Sequence, residues 1–178
     1  TSEVMEFPVL ETERLILRQL TLADAEDMFE YFSKDEVTEY YDLYTFKGID
    51  EAEALIQDFN KNFENKKGIR WAIQLKDSGK MIGTCGYHNW AHEHFKIELG
   101  YELNPLYWRQ HYMEEAIAAI LPYAFSEMNI HRVEAFTDPD NLASERLLLK
   151  LNFKEEGLLK DFFFEKGRFV DAKIFGLV

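Results

Sequence analysis

The chain has 178 residues, 47% apolar and 15% aromatic, enough for a substantial core and too apolar for a disordered segment. Its 20 basic and 33 acidic side chains leave a formal charge of −13. That balance argues against nucleic-acid partners, and it suits cationic acceptors such as amines as well as it suits solubility. No apolar run approaches the roughly 20 residues of a bilayer span, so no membrane partner is expected. The N-terminus TSEVMEFPVLETER is acidic and lacks a signal-peptide core, which places the chain in the cytoplasm. Cys85, the lone cysteine, excludes an internal disulfide framework and reads as a small buried strand residue between Gly83 and Gly86.

Arg14 to Leu20 alternates as a strand, and Thr21 with Asp24 reads as a cap opening a helix to about Ser33. Asp50 with Glu53 repeats the cap before a second helix, whose apolar face carries Ala54, Leu55, Phe59 and Phe63. Between them, Thr38 to Gly48 is rich in aromatic rings that either pack a loop or line a pocket. Arg70 to Leu75 and Lys80 to Asn89 form a hairpin over Asp77-Ser78-Gly79. His88, His92 and His94 follow beside Trp90. They lack the HExxH spacing and cysteine partners of zinc sites, so this stretch reads as a loop without metal that helps to shape an acceptor pocket.

Ile97 to Leu103 is a strand, and a helix is expected from about Met113 to Met128. Pro122 should kink that helix or displace its start, because proline lacks an N–H and crowds the preceding turn. His131 to Thr137 is a strand and Asp138-Pro139-Asp140 a turn. Asn141 caps a helix reaching Leu151, with Asn152 in a left-handed cap. Phe153 to Glu165 and Arg168 to Val178 close a hairpin over Lys166-Gly167. Its Phe162-Phe163-Phe164 run either buries on both sheet faces or pairs edge to edge in a homodimer. The order predicts an α/β (α+β) architecture with a mixed sheet of about seven strands and about four helices. No repeat, low-complexity tract or linker divides residues 1–178, so a single domain is expected.

The segment from Ile97 to Glu115, IELGYELNPLYWRQHYMEE, carries most of the functional signal. Ile97, Leu99, Tyr101 and Leu103 point to one strand face, and Glu98, Gly100 and Glu102 to the other. A glycine between carboxylates leaves backbone approachable beside titratable groups. The following helix start offers unpaired N–H groups to a phosphate.

Three passages in order, ETERLILRQL, ELGYELNPLYWRQHYMEEA and DPDNLASERLLLKLNFKEEG, resemble the GCN5-related N-acetyltransferase (GNAT) superfamily. Within it they are most similar to the ribosomal-protein-alanine N-acetyltransferase (RimJ/RimL-like) branch, as is the closing GRFVDAKIFGLV. The resemblance implies the GNAT fold with splayed central strands, acetyl-CoA as cosubstrate, and a protein N-terminal or small-molecule primary amine as acceptor. It implies that the backbone of Leu99, Gly100, Tyr101, Glu102 and Leu103 holds the pantetheine arm. Trp108, Arg109, Gln110, His111, Tyr112 and Met113 correspond to the pyrophosphate loop, and Asn141 to a further pantetheine contact. His111 stands where the family has a glycine and Met113 where it has a small residue, so the loop should be reshaped, with Arg109 and His111 able to pair with phosphate.

Acetyl transfer to an amine by direct attack passes through a tetrahedral intermediate. It needs an uncharged nucleophile, a stabilised oxyanion and a proton for the leaving thiolate. Glu98 is the candidate base, set against a solvated strand carboxylate, with Glu102 in reserve. Where many family members carry a tyrosine acid this chain has Leu148. By resemblance to the branch, Ser144 is the candidate group at the sulfur. The competing reading is a non-catalytic module of the same fold that binds coenzyme A or a partner, for which His111 is the supporting feature.

Overall fold

The computed structural model describes residues 6–178. Thr1 to Met5, the start of the acidic N-terminus used above, lie outside the described residues. The elements in chain order are β1 (Leu10–Glu11), β2 (Leu15–Gln19), α1 (Ala25–Phe32), α2 (Asp35–Thr38), α3 (Ile49–Glu64), β3 (Ile69–Leu75) and β4 (Met81–Ala91). There follow β5 (Lys96–Leu103), α4 (Tyr112–Glu127), β6 (Arg132–Thr137), α5 (Leu142–Lys150), β7 (Lys154–Glu165) and β8 (Arg168–Leu177). The eight strands form one sheet in the order β1-β2-β3-β4-β5-β6-β8-β7, antiparallel except between β5 and β6. The mixed sheet with flanking helices matches expectation. The additional strand β1 and helix α2 are too short to leave a periodic signal.

Strand alternation divides the interior into two apolar layers. Trp71, Ile73, Tyr87, Ile97, Leu99 and Val133 turn toward Ile117 and Ile120 of α4 and Leu148 of α5. Ala72 and Met81 turn the other way, against Met28, Tyr31 and Phe32 of α1 and Ile56 of α3. Each of the large apolar side chains among them contributes roughly 1.5–3 kcal/mol of burial. Cys85 lies in the first layer, fully buried, with its thiol pushed up to about 12 by that burial.

Several local expectations shift. The Thr21 N–H donates to Asp24 Oδ2 at 2.9 Å, as the cap pattern required. The cap of α3, however, is Gly48 rather than Asp50, and Glu51 Oε2 accepts the N–H groups of Lys47 and Gly48 at 2.6 and 3.2 Å. This rotates the buried face to Ala52, Ile56 and Phe63 and leaves Ala54 exposed. Helix α4 starts at Tyr112 and continues through Pro122, so its start is not displaced. Asn129 and Asn152 take the left-handed conformation, with φ of 56° and 71°. The aromatic segment after α2 splits in two: Phe46 stacks on Phe32 in the core, while Tyr44 is exposed. Phe162 and Phe164 are exposed on β7, an edge strand with a register shift between Leu159 and Phe163, so the run does not bury on both faces.

The feature that positions the site is a parting of strands. β5 and β6 pair at Lys96–Arg132, Ile97–Val133 and Glu98–Glu134 and no further. β5 continues along β4 to Leu103, and β6 along β8 to Thr137. A V-shaped gap therefore opens beyond Glu98. Above it, the Tyr40 hydroxyl donates to Asp140 O at 3.3 Å and Lys166 Nζ to Thr38 O at 2.5 Å. The segment around α2 is thus tied to both the β6–α5 turn and the β7–β8 turn.

Candidate active site

One wall of the gap is bare main chain. The Asn104 N–H donates to Ile82 O at 2.7 Å, so the even-numbered residues of β5 address β4. The odd-numbered Leu99, Tyr101 and Leu103 direct their N–H and C=O groups toward the gap. Leu103 O is taken by the Trp108 indole N–H at 2.8 Å. The last parallel pair, Glu98–Glu134, engages the Leu99 N–H, so the Leu99 carbonyl and both main-chain groups of Tyr101 remain to bond an extended chain laid along the strand, as in strand addition.

The gap opens toward the start of α4. Arg109 and His111 both have left-handed φ, 63° and 64°, so His111 takes the conformation a glycine would adopt there. Its ring turns outward, with Nδ1 3.2 Å from Glu114 Oε2, and Lys150 Nζ lies 2.9 Å from the same oxygen. Lys150 is the largest cause holding the Glu114 carboxyl below its usual value. Gln110 donates to Leu106 O at 3.3 Å, and Tyr112 lies under the Arg14 guanidinium at 4.1 Å. Met113 is buried beneath the helix start. What faces outward is a helix N-terminus with Arg109 beside it, suited to an anion.

On the face shared with α1 and α3, Glu98 stands at the vertex of the V. Its Oε2 lies 3.0 Å from His88 Nε2 and accepts from Asn89 Nδ2 at 3.2 Å. Next to it, a Cβ on Gly100 would lie 2.6 Å from Arg70 Nη1 and 3.1 Å from His88 Cε1, so only glycine admits those groups to the backbone. Glu102 is not available as a base. Its carboxylate receives Arg70 Nη2 at 2.5 Å, the Tyr31 hydroxyl at 3.0 Å and the Thr84 hydroxyl. Arg70 also donates to Thr84 at 2.8 Å and lies over the Phe59 ring. Burial alone would lower the Arg70 pKa; Glu102 reverses this and raises it. Burial, then Glu102, holds the Tyr31 and Tyr41 hydroxyls well above their usual range, so both stay protonated.

On the opposite face, the Tyr101 hydroxyl is hydrogen-bonded to Ser144 Oγ. Burial pushes the Tyr101 hydroxyl up to about 12. Asn141 Oδ1 accepts the Ser144 N–H at 3.3 Å and fixes the start of α5 beside the gap.

The structure brings Glu98, Gly100, Tyr101, Asn141 and Ser144 around one gap and draws Glu102 away into a buried ion pair. Sequence reading missed His88, which it grouped with a histidine-rich loop. His92 instead stacks on Trp90 with its Nε2 2.7 Å from Lys66 O, and His94 lies by Glu93. The missed signal was register, since His88 and Glu98 are cross-strand partners. Sequence reading also missed a tyrosine that reaches Ser144 from β5 rather than from α5.

Residues 14–154 match the acetyltransferase (GNAT) domain family. The chain is 43% identical over 172 residues to YoaA, an uncharacterized N-acetyltransferase of Bacillus subtilis, covering 97% of each chain. It is 26% identical to the [ribosomal protein uS5]-alanine N-acetyltransferase of Escherichia coli, over 91% of this chain and 86% of that one. In fold it is similar to RimL, a ribosomal L7/L12 alpha-N-protein acetyltransferase in complex with coenzyme A. That likeness has a TM-score of 0.86 over 96% of this chain and 98% of that chain, at 16% identity. A family match over most of the sequence and a relative of that kind along nearly its full length establish that the chain belongs to the GNAT family and is an N-acetyltransferase.

Proposed function

We propose that the chain, acting as one domain, transfers the acetyl group of acetyl-CoA directly to a primary amine, with the cofactor arm in the β5–β6 gap. The observation that carries this reading is the end of pairing at Glu98–Glu134, which leaves the Leu99 carbonyl and the Tyr101 main chain to bond the arm. The residues present suit the cofactor: the Leu99 carbonyl and the Tyr101 main chain face the gap, and the glycine-like turn at His111 leads into the α4 N-terminus. In this reading the Leu99–Leu103 backbone and Asn141 hold the pantetheine arm, and the loop from Trp108 to Met113 holds the pyrophosphate. Acetyl-CoA supplies the acetyl group as an activated thioester. A backbone N–H of β5 stabilises the charge that develops on the carbonyl oxygen.

Proton traffic divides between the two faces. His88 Nε2–H donates to Glu98, which leaves Nδ1, on the Gly100 side, as the lone pair that takes the amine proton. Glu98 thus acts through His88, holding its tautomer and stabilising its charge. Ser144, backed by the protonated Tyr101 hydroxyl, gives a proton to the departing sulfur.

The acceptor is a protein N-terminal amine or a small-molecule amine. The E. coli relative's protein-directed name favours the first, and the acidic surface suits any cationic amine. The competing non-catalytic reading rests on His111, which keeps the turn a glycine would make. For assembly, the exposed Phe162 and Phe164 on the free β7 edge support a homodimer, which light scattering tests. The deciding experiment screens peptides and small amines for release of coenzyme A thiol, beside calorimetric titration with acetyl-CoA. Amine-dependent thiol release is expected; no binding up to about 1 mM overturns the reading.

A further inference from the structure

We infer that Thr137 binds the cofactor arm, its hydroxyl pairing with an amide of the pantetheine; this rests on the acetyl-CoA reading above. Among the described residues, Thr137 Oγ1 is the buried side-chain polar atom that has no hydrogen-bond partner, and the residue is 6% exposed. Buried polar groups are nearly always paired, and one left alone is destabilising.

Its position explains which partner is wanted. Thr137 ends β6, where its main chain pairs with Lys173 of β8 on one side. On the other side β5 has already turned away, since the parallel ladder stops at Glu98–Glu134. Continued for three more residues, that register would set Thr137 beside Tyr101. The alternation of β6 places Thr137 with Val133 and Ala135, on the face toward α5, while Phe136 stacks on Phe162 across the sheet. That is also the face on which Tyr101 meets Ser144. Hydroxyls from β5, β6 and α5 therefore border the same side of the gap. Two of them bond each other, and the third is left for what enters.

The hydroxyl contributes nothing the fold requires. Valine has the same shape and equal strand preference and would carry no unpaired group. A ligand with amides spaced along an extended arm supplies what valine would not need: a carbonyl to accept from the hydroxyl or an N–H to donate to it. Both amides are common to coenzyme A and acetyl-CoA, which separates this contact from one at the thioester.

Thr137→Val and Thr137→Ser are compared with wild type by calorimetric titration with coenzyme A and with acetyl-CoA, and by thermal unfolding without ligand. Thr137→Val is expected to unfold at the wild-type temperature or above and to bind both ligands about tenfold more weakly. Thr137→Ser, which keeps the hydroxyl, is expected to stay within about twofold of wild type. Unchanged affinity of Thr137→Val for coenzyme A overturns the inference. So does a lower unfolding temperature without ligand, because the hydroxyl would then have a partner within the protein. Loss toward acetyl-CoA alone overturns the amide assignment. A wild-type chain that binds neither ligand defeats the transferase reading itself, so the two failures are distinguishable.

Discussion

Arg70 Nη2 lies 2.5 Å from Glu102 Oε2 directly beneath Gly100, and both residues are less than a tenth exposed. Removing one partner strands the other charge where water cannot reach it. Glu102→Ala should lower stability by about 3–5 kcal/mol, read by urea unfolding. Replacing both, as Arg70→Met with Glu102→Leu, should recover most of that loss. A single variant as stable as wild type would show that the pair is solvated.

His111 holds a backbone conformation that a side chain makes unfavourable, at φ 64°. His111→Gly should therefore raise stability by about 1 kcal/mol. Its ring faces Glu114 rather than the loop interior, so coenzyme A affinity should hold or improve. Several-fold weaker binding would mean that the imidazole itself contacts phosphate.

The proton path predicts unequal losses. His88→Ala and Glu98→Gln should each lower kcat by about 10²–10⁴-fold with the cognate amine, leaving coenzyme A affinity near wild type. Ser144→Ala should also slow turnover, and Tyr101→Phe less so while the serine remains. If Glu98→Gln and Ser144→Ala both turn over normally, positioning alone accounts for the rate.

Glu115 links the start of α4 to the N-terminal strands, accepting from the Thr12 hydroxyl, the Arg14 N–H at 2.9 Å and Arg14 Nε at 2.7 Å. Burial alone would raise its carboxyl, but these donors more than offset it, and the folded value lies below the usual 4.5. The stability this contact gives is complete above the unfolded value. It drains away as pH falls through the lower folded one. Glu115→Gln should cost roughly 2 kcal/mol at neutral pH and flatten the acid limb of a stability-versus-pH curve. An unchanged acid limb would assign that slope to other carboxylates.

Much of the sheet was legible because one face of each central strand buries apolar side chains, which imposes strict alternation on Ile97 to Leu103 and Arg14 to Leu20. The helix caps were less so. Asp50 and Glu53 fit the pattern as well as Gly48 and Glu51 do, and only the packing of Ala52 and Ile56 decides between them. At the site, residues adjacent in sequence were found, whereas contacts made by folding were not. Tyr101 and Ser144 are 43 residues apart. The register joining His88 to Glu98 is disturbed between His88 and Ala91, where Asn89 has positive φ. The free carbonyl of Leu99 and the free main chain of Tyr101 leave no mark on composition, because they come from where β6 stops following β5.

The two ties that hold the α2 segment, from Tyr40 to Asp140 and from Lys166 to Thr38, both end on carbonyl oxygens. A carbonyl is present whatever side chain its residue bears. The exposed Asp140 is therefore free to be exchanged without loosening its tie, whereas the buried Thr38 is held a second time through its hydroxyl, which meets that of Thr45 at 2.8 Å. The charge carried at this corner can thus change at Asp140 while the backbone frame between the two turns stays where it is.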